Sequence, residues 1–142
     1  MKGNVFWIVV ATAGLALVGC NKAESPAEVQ HDVTQAQADA QRDVGDAKAD
    51  AREDMADAQK DVADAQADHD PNDVVDQAQQ ASETGAKEDF KVAVAQAEAT
   101  HKVATEKCEA MSGDAQQDCK DRADRDLDAA KRAAEQRRDG SG

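Results

Sequence analysis

From Val29 to Ala65 an apolar residue returns every three or four positions, at Val29, Val33, Ala36, Ala40, Val44, Ala47, Ala51, Met55, Ala58, Val62 and Ala65. Steps of three and four place all of them on one stripe of an α-helix. The blocks VTQAQADAQRD from Val33, VGDAKADARED from Val44 and MADAQKDVADA from Met55 form an eleven-residue repeat. Such a repeat corresponds to about 3.67 residues per turn, so the stripe drifts in the right-handed sense. Ser25-Pro26-Ala27-Glu28 supplies the start: Ser25 as N-cap, Pro26 in the first turn, and Glu28 reaching back as the capping-box acid. The predicted helix runs from Pro26 to Asp68, roughly 64 Å at 1.5 Å per residue.

Asp68-His69-Asp70-Pro71 ends that helix, and Asp70 before Pro71 with Asp73 three residues on repeats the starting pattern. The second helix has an early seam of Val74, Ala78, Ala81 and Gly85. After a slip near Gly85 the seam resumes in heptad spacing as Phe90, Val94, Ala97, His101, Ala104, Cys108 and Met111. The expectation is one nearly continuous helix with a soft point at Gly85. Ser112-Gly113-Asp114 is the next break, with Gly113 in the left-handed position, Asp114 as cap and Gln117 at the capping-box site. The last helix carries Ala115, Cys119, Ala123, Leu127, Ala130 and Ala134. Its closing Lys131, Arg132, Arg137 and Arg138 suit the negative end of the helix dipole.

The expected fold is therefore all-α, with long helices in a three-helix up-down-up or coiled-coil-like arrangement. The segments are 1–19, 20–25, 26–69, 70–111, 112–139 and a frayed 140–142. Reversal near Asp70 sets Val62 opposite Ala78, Met55 opposite Gly85, Ala36 opposite Ala104 and Val29 opposite Met111. Reversal at Gly113 sets Cys108 against Cys119, Ala104 against Ala123 and Ala97 against Ala130. The competing arrangement leaves the first helix extended, or pairs it with a second copy.

Composition makes a large core implausible. Forty per cent of the 142 residues are hydrophobic, but most of these are alanine and only 2% are aromatic. Each buried CH₂ contributes about 0.8 kcal/mol, against roughly 1–2 kcal/mol to order one residue of backbone. Helix packed along helix suits such a chain. The formal charge of −13 disfavours nucleic acid and anionic membrane surfaces as partners. Phe90 is the only aromatic beyond the first 20 residues, so no stacking platform for bases exists.

Residues 1–20 read as a leader: Lys2, an apolar run from Val5 to Val18, then Leu17-Val18-Gly19-Cys20. The run is short of the roughly 20 apolar residues that span a bilayer. Its end resembles the lipobox of bacterial lipoproteins at all four positions. The resemblance implies cleavage before Cys20, a diacylglycerol thioether on Cys20 and acylation of the new amino group, the only covalent group expected. Several acyl chains anchor stably. Asn21 stands where an Asp signals inner-membrane retention in enteric lipoproteins, which points to the outer membrane, periplasmic side.

With Cys20 consumed by lipid, Cys108 and Cys119 remain as an even pair flanking the Ser112-Gly113 turn. In an oxidising periplasm a disulfide stapling this helical hairpin is expected, adding roughly 3 kcal/mol. A redox or metal role lacks CxxC spacing or nearby histidines. A second stripe is acidic: Asp39, Asp43, Asp46, Asp50, Asp54, Asp57, Asp61, Asp64 and Asp68. It reads first as a solvated face and otherwise as a docking face for divalent cations or a basic partner. Asp68-His69-Asp70-Pro71-Asn72 resembles the opening of an EF-hand loop, but Asp73 and Gln79 stand where glycine and the bidentate glutamate are needed. His31, His69 and His101 share no metal-site spacing. No metal, cofactor or catalytic residue is assigned, and catalysis is not expected.

In layout, leader and first helix resemble small murein-lipoprotein-like envelope proteins. The chain ends Asp139-Gly140-Ser141-Gly142 rather than in the lysine by which that family joins peptidoglycan, so no covalent peptidoglycan link is expected. His101 through Lys120 resembles small exported proteobacterial proteins of uncharacterised function, some labelled TolA-like. The Ala/Asp/Lys/Gln repeat is also similar to late-embryogenesis-abundant stress proteins. The expected function is that of a lipid-anchored structural or interaction element of the cell envelope, self-associating or bound to an envelope protein. The alternatives are a largely disordered stress-protective hydrophilin and, third, a weak divalent-cation binder.

Overall fold

A computed structural model describes residues 22–140 as three α-helices, with no strand among the described residues. Helix α1 covers Pro26–Asp68, α2 covers Pro71–Cys108 and α3 covers Asp114–Asp139. The leader and the lipobox positions Leu17, Val18, Gly19 and Cys20 lie outside the described residues.

Local chemistry explains the starts of α1 and α2. Ser25 has extended backbone and its hydroxyl accepts from the Glu28 amide, while Glu28 Oε2 accepts from the Ser25 amide at 3.0 Å. These two bonds satisfy orphan donors reciprocally. Asp70 Oδ1 accepts from the Asn72 amide at 2.9 Å, ahead of Pro71 in the first turn. Between the two helices His69 takes a left-handed conformation (φ 59°, ψ 25°). A non-glycine residue there carries a steric cost, and the turn needs it to reverse the chain within two residues.

The third start departs from expectation. Gly113, not Asp114, occupies the N-cap, with φ 59° and ψ −140° and no side-chain capping bond. Asp114 is already helical, and Gln117 Nε2 donates to Asp121 Oδ1 instead of reaching back. Gly113 also lies outside the left-handed helical well, in a region that side chains exclude. Helix α2 ends at Cys108, and Met111 is exposed rather than part of its seam.

Both predicted reversals occur. Lys102 Nζ lies 3.2 Å from Asp39 Oδ2 and Lys91 Nζ 3.5 Å from Asp54 Oδ2, within about a turn of the expected α1–α2 register. Cys108 and Cys119 are joined, with their Cα atoms 5.7 Å apart. Beyond that staple, α2 and α3 are tied by His101 to Asp124 at 2.6 Å, Lys131 to Glu98 at 2.7 Å, and Arg138 stacked 4.7 Å over the Phe90 ring. No Cα of α1 lies within 8 Å of a Cα of α3 among the described residues. The three helices thus form an open layer with α2 in the middle, not a closed bundle.

This arrangement accounts for the slip near Gly85. The heptad seam from Phe90 to Cys108 is the α3-facing side of α2, whereas Glu88, Lys91, Ala99, Lys102 and Val103 continue the side that meets α1. Helix α3 reaches up α2 to the turn of Ala86 to Phe90, so one seam hands over to the other where α2 gains its second partner.

Six of the eight buried apolar residues are alanine: Ala36, Ala40, Ala51, Ala65, Ala123 and Ala134. Met55 is 38% exposed, and a Cβ added at Gly85 would meet nothing within 4 Å, so the expected packing of Met55 into a gap at Gly85 does not occur. Ala78, Ala115 and Ala130 are likewise exposed. Small side chains make a narrow seam, and residues at its margin stay in water.

Candidate functional site

Polar chemistry concentrates in three places. The first is the end of the molecule where the chain enters and α2 turns into α3. The Glu24 amide donates to the Glu109 carbonyl at 2.9 Å, fixing the segment before α1 to the end of α2. The Glu109 carboxylate faces α3, with Oε1 2.5 Å from Lys120 Nζ and Oε2 accepting from Gln116 Nε2 at 2.6 Å. Gln116 is only 2% exposed. Burial, with Asp32, Glu109, Glu28 and Glu106 nearby, raises the Glu24 carboxyl above its ordinary value, because each disfavours the charged form. The hydrogen bond from Ser25 lowers Glu28 in the same neighbourhood.

The second place lies midway along α1 and α2. Glu88 is 1% exposed and its Oε1 sits 2.6 Å from Lys91 Nζ. Lys91 also reaches Asp54, and the hydrogen bond to Glu88 leads the contributions that raise the lysine above its usual range. Asp39 is lowered by hydrogen bonds from Lys102 first and Arg42 second.

The third is a charge segregation. Projected at 100° per residue, every carboxylate of α1 falls within roughly a third of the helix circumference. Its cations Arg42, Lys48, Arg52 and Lys60 fall outside that arc. On the other side of the layer, a groove of about 930 Å³ between α1 and α2 is lined by Ala40, Val44, Ala99 and Val103 among others. That lining carries Lys48 and Lys107 and no carboxylate.

The chain matches no known family, no curated protein and no solved structure with which it was compared. No helix among the described residues is long and apolar enough to cross a membrane. No group of three or more His, Cys, Asp or Glu suited to a metal ion occurs among them. At the EF-hand-like turn, Asp70 caps α2 and the His69 ring lies 2.6 Å from the Ala67 carbonyl. Both side chains are therefore engaged with their own turn. Of the acidic stripe, Asp39 and Asp54 pair with α2 and Asp64 with Lys60. His101 is an α2–α3 contact through Asp124.

Hydrophobic patterning passes over Glu88 and Gln116. Gln116 does lie on the stripe that continues as Cys119 and Ala123, one turn earlier than Cys119 and in place of Ala115. Glu88 stands three residues before Lys91 on the α1-facing side, an i,i+3 ion pair that only the choice of partner helix reveals.

Proposed function

We propose that this protein is a lipid-anchored helical element of the bacterial cell envelope, facing the periplasm from the outer membrane and acting by interaction rather than by chemistry. The fixed entry of the chain supports this reading most. Glu24 sits four residues after the lipidation candidate Cys20 and is bonded to the α2–α3 end of the layer. An anchor at Cys20 then leaves the His69 turn as the distal end. Helix α1 alone extends about 64 Å at 1.5 Å per residue, and its distal part pairs with α2 beyond the reach of α3. The stapled end lies toward the membrane and a two-helix arm projects from it.

The runner-up, a hydrophilin that folds only when dried, crowded or bound, draws support from the alanine core, since so little apolar area offsets a large ordering entropy. Metabolic labelling with an alkynyl fatty acid tests the anchor: wild type is expected to label and fractionate with outer membrane, and Cys20→Ser to lose both. Unlabelled wild type would overturn it. Circular dichroism of the oxidised Cys20→Ser protein separates the two functional readings, a cooperative helical melt supporting the scaffold and a coil spectrum the hydrophilin. In-cell crosslinking with mass spectrometry then identifies the partner.

A further inference from the structure

The segment ahead of α1 makes a contact that capping alone does not require. Lys22 to Ser25 could lead into α1 from any direction, yet the Glu24 amide is bonded at 2.9 Å to the Glu109 carbonyl, at the far end of α2. The Glu24 side chain is partly buried, and its Oε2 is shut off from solvent without a hydrogen-bond partner among the described residues. The charges that act on it are acidic. Helix α1 presents Glu28 and Asp32, the latter paired with His31. Helix α2 and its end present Glu106 and Glu109. From helix α3, Lys120 and Gln116 reach the Glu109 carboxylate.

We propose that residues 22–25 are a pH-sensitive strap: protonation of Glu24 tightens its docking onto the α2–α3 turn, and ionisation loosens it. A proton from solvent on the sealed oxygen removes a negative charge that no donor meets there and that four nearby carboxylates repel. The docked state binds that proton more tightly than the released state, so docking is strongest at acid pH and is lost as pH rises through the docked-state value, which lies above the ordinary glutamate value. Each unit by which docking raises that value is a tenfold change in the docking equilibrium. On the anchored reading above, the strap would set how rigidly the layer is held relative to the membrane. The strap itself does not depend on that reading.

The test uses the full-length protein in detergent micelles. Nuclear magnetic resonance follows the Glu24 carboxyl carbon and the exchange protection of the Glu24 amide, with amides in the middle of α1 as reference. Between about pH 4 and about pH 7 the strap's protection should fall about threefold or more relative to the reference. Glu24→Gln, neutral at every pH, should stay protected throughout. Glu106→Gln, which removes one of the facing charges, should shrink the fall in the otherwise wild-type chain. A wild-type strap whose protection is flat over this range overturns the proposal, as does an equal fall in Glu24→Gln. Neither result touches the lipidation reading, which fatty-acid labelling decides separately.

Discussion

Helix α2 is held on its two sides by different means. Against α1 it makes a long contact without any covalent link, along Val29, Ala36, Ala40, Ala51 and Ala65, with Lys102–Asp39 and Lys91–Asp54 across the seam. Against α3 the contact is shorter, buries Ala123 and Ala134, and carries the Cys108–Cys119 bond at one end and Arg138 on Phe90 at the other. Both seams consist mainly of alanine, so each turn contributes little. A helix of 43 residues repeats that contribution over more turns than one of 26 residues. The shorter partner therefore depends on its staple.

Replacing both Cys108 and Cys119 by serine should give the largest effect. Loss of the staple is expected to lower stability by about 3 kcal/mol, read from urea unfolding of oxidised wild type and the double variant. Hydrogen exchange should place the loss in α3, with mid-α1 amides little changed. Equal deprotection of α1 and α3 would show that the layer unfolds as one unit. Next comes Gly113→Ala, at the turn that allows the staple to form. With φ at +59° and ψ at −140°, a side chain there should cost about 1–3 kcal/mol, measurable as a lower midpoint on the same curve.

Much of this comparison is visible in the residues themselves, because the deciding signals are local. Ser25 with Glu28, Asp70 with Pro71, and Gly113 each mark a chain direction within four residues, and the eleven-residue repeat carries α1 between two of them. The cysteines need only parity and a turn. The identity of each seam's partner is not local. Whether Gly85 is a break or a handover depends on how far α3 climbs α2, which Phe90 and Arg138 decide across the interface. Burial of Glu88 and Gln116 escapes for the same reason: a polar residue reads as solvated until the helix covering it is known.

The α1 side should respond in the opposite direction. Glu88 is a carboxylate at 1% exposure whose Oε2 lacks a hydrogen-bond partner among the described residues. Exchanging such a group for an apolar one of similar size is often stabilising. Lys91 keeps Asp54 and solvent in the variant, so no charge is stranded. Glu88→Leu should raise stability by about 1–2 kcal/mol. A loss of that size would instead show the ion pair holding the seam together. Gly45 and Gly85 sit inside helices with open space where a Cβ would stand. Gly45→Ala and Gly85→Ala should each add somewhat less than about 1 kcal/mol by helix propensity and unfolded-state entropy. Their additivity in one chain would confirm that neither glycine is a packing gap.

The smallest effect concerns the charged groups along the α1 contact, and its value is in its sign. Asp39 is lowered through the hydrogen bonds from Lys102 and Arg42, and Glu28 through those from Ser25. Both therefore contribute stability that is present above the ordinary carboxylate value and is lost as pH falls through their lower folded values. Lys91, raised through Glu88, contributes stability that is complete below the ordinary lysine value and is lost only in strong alkali. The α1–α2 contact should hold constant across neutral pH and weaken on the acid side. Thermal melts below about pH 4 should show the decline, and Asp39→Asn should flatten part of it. The α2–α3 staple does not titrate, so acid should loosen the long seam before the short one, reversing the order that removal of the disulfide produces.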